Sequence, residues 1–390
     1  MVRTNGVLIP ENTSWLRDPA AQRVCAAVKN AGFDILFVGG CVRNALLGLP
    51  DSDVDMSTNA VPDQVTEIAQ TNGLKAIPTG IDHGTVTVVS DGVPFEITTF
   101  RKDVKTDGRR AAVAFSQDIK DDALRRDFTM NALYATPQGV LIDPLGGLPD
   151  LQARRVRFIQ DPNARIREDY LRILRFFRFS AWYAHPENGF DPEALAAIAG
   201  NLPGLQTLSG ERVGQELTKL LAAPAPAPAM AVMRQIGVLH ALLPGADDRF
   251  LAPLVHSEGA LGVSPNWITR LATIGGDKPI DQLRLSKADA KTLTDISQAA
   301  YGEGVLNSVA YRKGLDVAVA ALLIRSTFSE TLPTSAELET LRTASTAKFP
   351  LSAKDLMPNF QGPALGERLR ALEDRWIASE FTLSAEELLR

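Results

Sequence analysis

Cysteine and histidine are scarce in this chain, which limits the metal chemistry that it can support. Only two of the 390 residues are cysteine and only four are histidine. Cys25 and Cys41 have the spacing of neither a disulfide framework nor a zinc site. The histidines form no i,i+4 pair of the kind that binds zinc on a protease helix, and no His-Asp dipeptide occurs. The sequence therefore argues against a structural disulfide and against a histidine-based metal centre.

Long hydrophobic segments are also absent. The longest apolar run, residues 317–324, is much shorter than the roughly 20 residues that a membrane-spanning helix requires. The N-terminal residues, MVRTNGVLIPENTSWLRDPA, have no apolar stretch behind a basic start and so do not resemble a secretory signal. We therefore expect a cytoplasmic protein that does not contact a membrane. The sequence gives no oligomeric state.

The chain has no net positive charge, since its formal charge at pH 7 is −5. A uniformly basic nucleic-acid-binding protein is thereby excluded. The basic residues are nevertheless concentrated in residues 154–178, where eight arginines occur with only three acidic residues. These arginines are Arg154, Arg155, Arg157, Arg165, Arg167, Arg172, Arg175 and Arg178. This segment is a candidate surface for phosphate groups.

The part of the chain up to about residue 150 combines strand and helix patterns. Residues 35–38, 85–89 and 94–100 are rich in β-branched and aromatic residues and are bounded by Gly, Asp or Pro, which predicts strands. Residues 62–71 begin with proline and continue in a helix-compatible pattern. We expect an α/β domain here, with a small mixed sheet and helices.

Helical periodicity dominates from about residue 154, where the strand patterns fade. An all-α C-terminal region is therefore predicted, with helices near residues 231–242, 287–299, 314–325, 335–346 and 364–380. Residues 221–230, LAAPAPAPAM, place a proline at every second position. That pattern favours an extended junction or, alternatively, a loop between two helices of one domain.

Two aspartates two residues apart are the strongest candidates for metal ligands. Asp53 and Asp55 are predicted to lie in a second short strand, in which side chains at i and i+2 point to the same face. Paired carboxylates suit Mg²⁺, which takes a few carboxylate ligands together with water and substrate phosphate. Two such cations can activate an attacking hydroxyl and neutralise a departing pyrophosphate. Taken alone, the pair is also compatible with a solvated surface loop.

A Gly-Gly pair precedes these aspartates, at the end of the first predicted strand. Without Cβ atoms, Gly39 and Gly40 allow backbone amides to approach a triphosphate closely, and the N-terminus of the following helix favours negative charge. Arg43, on that helix, adds a cation for phosphate. The glycine turn and the paired aspartates together predict a site for a metal-bound nucleoside triphosphate.

The segment GGCVRNALLG followed by DSDVD resembles the signature of the bacterial-type (class II) CCA-adding enzymes and bacterial poly(A) polymerases, in the polymerase-beta-like nucleotidyltransferase superfamily. Asn44 departs from the pattern, because the family usually has aspartate at this position. The resemblance implies a catalytic nucleotidyltransferase head over residues 1–150 and a helical neck for nucleotide selection over 151–221. It further implies a helical body over 222–333 and a helical, tRNA-binding tail over 334–390.

The resemblance also implies further site residues in the head. Residues 79–103 form a predicted hairpin whose second strand carries Glu96, the candidate for the third acidic residue that the superfamily uses. An exposed strand carboxylate is the alternative for Glu96. Residues 103–120, with Arg109 and Arg110, resemble the mobile loop that influences the switch from C to A addition, and these arginines are expected to contact RNA.

Residues 121–134 resemble the family's RRDFTxNA motif, which contacts the ribose of the nucleotide. The candidate nucleotide-binding residues in it are Arg126, Asp127 and Asn131. Asp127 or Asn131 can hydrogen-bond a 2′-hydroxyl, so a deoxynucleotide would leave that polar group unpaired. A helix N-terminus with a charged first turn is the alternative.

Glu168-Asp169-x-x-Arg172 resembles the EDxxR element with which CCA-adding enzymes use protein as the template. Asp169 and Arg172 are predicted to share one helix face, where they offer an acceptor and a donor fork to the edge of a base. C and A present an exocyclic amine to such an acceptor at C4 and C6, respectively, where U and G carry a carbonyl oxygen. Arg175, one turn further along, is a third candidate, and an intrahelical salt bridge is the alternative.

A fainter resemblance returns at residues 349–377, where Lys354 belongs to a KDLM segment that implies contact with tRNA. The predicted function is that of a Mg²⁺-dependent CCA-adding tRNA nucleotidyltransferase, which transfers CMP and AMP from CTP and ATP to the tRNA 3′ end and releases pyrophosphate. Poly(A) polymerase, or a tRNA nucleotidyltransferase that adds only A or only CC, is the alternative within the family. A non-catalytic RNA-binding relative is disfavoured by the presence of Asp53 and Asp55, and a phosphohydrolase by the missing His-Asp pair.

Overall fold

The computed structural model describes residues 4–50, 52–107, 110–357 and 359–390. The chain divides into two compact units, Met1–Leu208 and Ser209–Arg390. The finer division into head, neck, body and tail stays a prediction.

A mixed β-sheet forms the centre of the first unit. The strands described are β1 (Thr4–Leu8), β2 (Ile35–Val38), β3 (Asp55–Thr58), β4 (Lys75–Gly80), β5 (Thr85–Ser90), β6 (Val93–Thr99), β7 (Arg101–Asp107), β8 (Arg110–Phe115), β9 (Tyr134–Ala135) and β10 (Val140–Ile142). Eight of them form one sheet in the order β1-β10-β9-β2-β3-β6-β5-β4, and β7 pairs with β8 separately. Only β3 and β6 are parallel neighbours among the described strand pairs. The predicted small mixed sheet is confirmed.

Helices cover this sheet and extend the first unit beyond it. They are α1 (Ser14–Arg17), α2 (Pro19–Asn30), α3 (Gly40–Leu47), α4 (Pro62–Thr71), α5 (Ile119–Leu124), α6 (Leu148–Gln152), α7 (Pro162–Glu168), α8 (Leu171–Tyr183) and α9 (Pro192–Gly200). The four apolar residues of β2 are all buried, because this strand lies inside the sheet between β9 and β3. Phe37 of β2 packs against Trp15 of α1 with ring centroids 4.5 Å apart.

The second unit is helical throughout its described residues. Its helices are α10 (Gly210–Leu221), α11 (Ala227–Gln235), α12 (Val238–Leu242), α13 (Leu251–Leu261), α14 (Trp267–Ile274), α15 (Pro279–Gln282), α16 (Lys287–Tyr301), α17 (Leu306–Lys313), α18 (Leu315–Phe328), α19 (Ser335–Thr346), α20 (Ala353–Leu356), α21 (Pro363–Ala378) and α22 (Ala385–Leu389). The apolar helix α18 is almost wholly buried and packs against α13, α14, α16, α17 and α19. The predicted all-α C-terminal region is confirmed.

The proline-rich residues 221–230 do not form an extended junction. Helix α10 ends at Leu221, and helix α11 already begins at Ala227, so the connection is a short loop inside the second unit. Pro226 is the N-cap of α11 and Pro228 lies in its first turn, where a missing N–H group costs no helical hydrogen bond. The alternative of a loop between two helices is therefore the one that the structure supports.

Candidate active site

The glycine turn connects β2 to α3 in the first unit. Gly39 has a φ of +74°, a left-handed conformation that favours glycine, and its N–H donates to the carbonyl of Leu133. A Cβ atom at Gly40 would lie only 2.8 Å from the Oγ of Ser52. Gly39 therefore favours glycine for its backbone conformation, and a side chain at Gly40 would have to displace that of Ser52, so the N-terminus of α3 stays free of side chains that would block an anion.

Asp55 and Glu96 are brought together by the parallel pairing of β3 with β6. The two residues are direct register partners, so their side chains lie on the same face of the sheet. Burial raises the pKa of Asp55 to about 6, with further contributions from Glu96 and Asp53 that outweigh the opposing effect of Arg126. The carboxylates of Glu96 and Asp53 thus both repel the negative charge of Asp55, the other predicted metal ligand.

Asp53 does not lie in a strand, so that part of the prediction is wrong. Strand β3 begins at Asp55, which pairs with Val38, the last residue of β2. Strand β2 offers Asp53 no partner, because the chain enters the glycine turn after Val38. On the β6 side of β3, the register would place Asp53 opposite Pro94, which has no N–H group to donate. Asp53 is exposed on the segment that leads into β3.

A cavity of about 350 Å³ opens beside the glycine turn. It is lined by Gly39, Gly40, Arg43, Asp55, Arg125, Arg126, Asp127, Asn131, Asp169, Arg172, Arg175 and Phe179. All nine residues predicted to bind the nucleotide are among them, although they come from three separate stretches of sequence. Five arginines against three aspartates give the lining a positive charge that suits a triphosphate. Asp53 and Glu96 are not among the lining residues.

Arg43 is held by several side chains at the wall of this cavity. Its Nη1 donates to Oδ1 of Asn131 at 2.5 Å, and its Nη2 donates to the hydroxyl of Tyr183 at 2.8 Å. The guanidinium also lies over the Tyr183 ring, 4.1 Å from its centroid, and over Phe179. The aromatic residues Phe179 and Tyr183 were not among the predicted site residues.

Asp127 is paired within the protein. Nε of Arg175 donates to its Oδ2 at 2.7 Å, and Nδ2 of Asn131 donates to its Oδ1 at 3.0 Å. Asn131 therefore connects Asp127 with Arg43 through the two ends of its amide. Asp127 and Asn131, two of the predicted nucleotide-binding residues of the RRDFTxNA motif, therefore form part of one buried hydrogen-bonded network.

A second network, absent from the sequence predictions, orients Arg126. Nη2 of Arg126 donates to Oδ2 of Asp122 at 3.0 Å, and its Nε donates to the Tyr134 hydroxyl at 3.2 Å. The Tyr134 hydroxyl in turn donates to Asp122 at 2.7 Å, and both Asp122 and Tyr134 have no exposed surface. The spacing of Asp122 three and four residues before Arg125 and Arg126 is the signal that would have indicated these pairs.

Asp169 and Arg172 do not share one helix, contrary to the prediction. Helix α7 ends at Glu168, Asp169 is extended, and α8 begins at Leu171. The Asp169 carboxylate accepts from the N–H of Leu171 at 3.1 Å, which favours a break between the helices. Nη1 of Arg172 contacts Glu168 at 2.5 Å. Asp169 and Arg172 nevertheless line the same cavity.

Of the three residues predicted to contact RNA, the structure describes the side chain of Lys354 alone. Arg109 lies outside the described residues, as does the side chain of Arg110, whose backbone belongs to β8. Much of residues 103–120 belongs to β7, β8 and the start of α5, so the prediction of a loop is wrong there, because the backbone of β8 pairs with that of β7. Lys354 lies on α20 in the second unit and is exposed.

Comparison with known proteins gives the family. A model of the poly A polymerase head domain matches residues 35–157, and a model described as the probable RNA and SrmB-binding site of polymerase A matches residues 189–250. The mitochondrial CCA tRNA nucleotidyltransferase 1 of Danio rerio is 33% identical over 382 residues, which are 92% of this chain and 86% of the relative. The chain belongs to the CCA tRNA nucleotidyltransferase family.

Other members of the family agree with this assignment. The CCA-adding enzyme of Geobacillus stearothermophilus is 34% identical over 325 residues, 78% of this chain and 77% of that protein. The structure of the Bacillus stearothermophilus CCA-adding enzyme in complex with CTP has a TM-score of 0.72 and 29% identity, and covers 93% of this chain and 94% of its own. None of the described helices is both long and apolar enough to cross a membrane.

Nucleotidyltransferases of this family generally use divalent metal ions. Within the described residues, no three His, Cys, Asp or Glu side chains form a complete metal-binding cluster by themselves. The carboxylates still fit such an ion, because Asp55 carries an electrostatic cost from Glu96 and Asp53 that a cation would relieve. Mg²⁺ takes only one or two carboxylates and completes its shell with water and substrate phosphate, so a closed protein cage is not required.

The two buried networks predict that this family member loses stability in acid. Burial alone would raise the pKa of Asp122 and of Asp127, but Arg126 and Arg125 lower the former to about 2, and Arg175 and Asn131 lower the latter to about 2. Because the folded pKa lies below the unfolded value of about 3.9, the stabilisation is present above pH 4 and is lost as the pH falls toward 2. Each group contributes about 2 kcal/mol.

Urea unfolding at pH 6, 4 and 3 measures this effect. The variant Asp122→Asn should show a smaller decrease in the free energy of unfolding between pH 6 and pH 3 than the unmodified protein. Glu67→Gln, which removes an exposed carboxylate of α4, is the matched control and should keep the original decrease. An unchanged decrease in Asp122→Asn would contradict the assignment.

Proposed function

We propose that this protein builds the CCA end of tRNA, using CTP and ATP as substrates and releasing pyrophosphate. The observation that supports it best is the single cavity that joins the glycine turn, Asp55 and five arginines. Such a cavity accommodates the negative charge of a triphosphate next to the carboxylates that would hold Mg²⁺. A cytoplasmic location stays a prediction, since some relatives carry mitochondrial names.

In the proposed reaction, the 3′-hydroxyl of tRNA attacks the α-phosphorus of CTP or ATP. The bond from that oxygen to phosphorus forms as the hydroxyl loses its proton to water, the bond from the α-phosphorus to the bridging oxygen breaks, and pyrophosphate leaves. Asp53, Asp55 and Glu96 would hold Mg²⁺, which activates the hydroxyl and neutralises the leaving group when bound. Gly39, Gly40 and the cavity arginines bind and orient the triphosphate.

Base selection is proposed to depend on Asp169 and Arg172. Although a break separates Asp169 from helix α8, both side chains line the cavity. The carboxylate can accept from the exocyclic amine of C or A, while the guanidinium donates to a ring acceptor. U and G would place a carbonyl oxygen against the carboxylate, which costs binding free energy.

Replacing Arg172 with alanine should therefore relax base selection. We expect discrimination against UTP and GTP to fall by at least about tenfold, because one half of the donor and acceptor pair is removed. Competition between CTP and UTP in single-nucleotide addition to tRNA measures this ratio. Arg167→Ala is the control, since Arg167 hydrogen-bonds Asn201 and does not line the cavity; unchanged selectivity in Arg172→Ala would refute the role.

Product sequencing distinguishes the proposed function from its alternatives. The protein is incubated with tRNA that ends at the discriminator base, with CTP, with ATP and with both. A defined CCA end supports the proposal, and a long A tail identifies a poly(A) polymerase, whose head-domain model the chain matches. Products that stop at CC with both nucleotides present, or that require a pre-existing CC, identify the enzymes of narrower specificity.

A further inference from the structure

Asn44, the residue that departs from the family signature, is placed between two parts of the proposed active site. It lies on α3 next to Arg43 and is buried, with 9% of its surface exposed. Its Oδ1 accepts from Nη2 of Arg43 at 2.9 Å and from Nε of Arg43 at 3.2 Å. Its Nδ2 donates to the carbonyl oxygen of Pro50 at 2.9 Å. Both ends of the amide are therefore used.

The chemistry of these neighbours fixes the orientation of the amide. A guanidinium offers only donors, and a proline carbonyl offers only an acceptor. Only the orientation that directs Oδ1 to Arg43 and Nδ2 to Pro50 satisfies both. Aspartate could accept from Arg43, but its second oxygen would face the Pro50 carbonyl without a hydrogen between them. Alanine would lose both contacts.

The two contacts connect groups that are proposed to act on one substrate. Arg43 lines the cavity and is also bound by Asn131 and Tyr183. Pro50 begins the segment that carries Asp53 and leads into Asp55 of β3. The amide of Asn44 therefore links the guanidinium at the phosphate-binding wall with the chain that delivers the carboxylates.

We propose that Asn44 is a positioning residue for nucleotidyl transfer: it holds Arg43 through Oδ1 and the carboxylate-bearing segment through Nδ2. The inference rests on the proposed function, because its test measures the addition of C to tRNA.

The variants Asn44→Asp and Asn44→Ala separate the two contacts. In Asn44→Asp the contact with Arg43 is kept and the contact with Pro50 is lost, so we expect kcat to fall about tenfold while the KM for CTP changes less than about threefold. The Mg²⁺ concentration for half-maximal rate should rise in the same variant. In Asn44→Ala both contacts are lost, so kcat should fall and the KM for CTP and for ATP should rise by about tenfold.

Steady-state addition of C to tRNA, at varied CTP and Mg²⁺, measures these parameters, and tRNA affinity and the melting temperature are measured alongside. Asn72→Ala is the matched control, because Asn72 also donates its Nδ2 to a carbonyl, that of Ile68, but lies at the end of α4 away from the cavity. That variant should keep kcat, KM and the Mg²⁺ requirement of the unmodified protein.

Asn44→Asp with unmodified kcat and Mg²⁺ requirement would overturn the proposal, and so would equal losses in Asn44→Asp and Asn72→Ala. If Asn44→Asp melts at a much lower temperature, the test uses Asn44→Ala instead. A loss of active protein lowers kcat and leaves KM unchanged, so a KM for CTP equal to that of the unmodified protein in Asn44→Ala would also overturn the proposal. An unmodified protein that binds CTP but extends no tRNA would refute the proposed function instead. The two failures are thus distinguishable.

Discussion

Replacing Asp55 with asparagine should reduce nucleotidyl transfer by about 10³-fold, equivalent to about 4 kcal/mol of transition-state free energy. Asp55 is the one predicted metal-binding residue that both lines the cavity and pairs in register with a second carboxylate, Glu96. The amide of asparagine keeps the size of the side chain but removes the negative charge that would hold a divalent cation. The rate of C addition to tRNA under single-turnover conditions is the measurement.

The controls for Asp55→Asn separate loss of chemistry from loss of folding or binding. The affinity for tRNA and the melting temperature should stay close to those of the unmodified protein. Asp63→Asn makes the same charge change at an exposed position in the first turn of α4 and should retain full activity. Transfer by Asp55→Asn at more than a tenth of the original rate would remove Asp55 from the catalytic assignment.

Replacing Arg270 with methionine should lower the free energy of unfolding by about 3–5 kcal/mol. Arg270 is 1% exposed and forms a salt bridge with Glu258, which is 3% exposed. Its Nη1 also donates to the carbonyls of Leu221 and Ala223, so it satisfies the C-terminal end of α10. Removing the guanidinium leaves a buried carboxylate and two buried carbonyl oxygens without these partners.

A double variant tests whether the unpaired charge causes most of this loss. Arg270→Met combined with Glu258→Met removes both charges and should unfold at a higher urea concentration than Arg270→Met alone. The exposed pair Arg342 and Glu339 is the control, and Arg342→Ala should cost less than about 1 kcal/mol. Urea titration of the full chain followed by circular dichroism gives the comparison. A double variant that is no more stable than the single one would contradict the explanation.

Local patterns in the sequence were sufficient to predict much of the fold. The apolar run at residues 35–38 is β2, and the proline-initiated pattern at residues 62–71 is α4. Periodic apolar residues likewise predicted α18 and α19 close to their observed bounds. Each of these elements depends on its own residues for its conformation, so the information lies within a short window.

Features that depend on partners distant in sequence were harder to predict. Nothing near Asp53 shows that Asp55 pairs with Val38, the last residue of β2, which leaves Asp53 outside β3. The pairing of Asp55 with Glu96 is a register between distant segments. The break at Asp169, by contrast, has a local cause, because its carboxylate accepts from the N–H of Leu171 at the start of α8.

The site residues also divide into those that a local motif indicated and those that depend on partners distant in sequence. Motifs indicated the residues that line the cavity, because each motif is a short pattern around a glycine, an arginine or a carboxylate. They did not indicate Tyr134, which meets Asp122 and Arg126 only after the chain has folded. Nor did they indicate Tyr183, which contacts Arg43 from the far end of α8. Supporting residues of this kind have no local sequence signal.

The most direct test of the proposed site is a crystal structure with Mn²⁺ and a non-hydrolysable CTP analogue, in which anomalous scattering locates the metal. We expect a metal peak in contact with the Asp55 carboxylate and with Asp53 or Glu96, and the triphosphate against the backbone amides of the Gly39–Gly40 turn. A triphosphate bound elsewhere, or a metal that does not contact Asp55, would contradict the assignment.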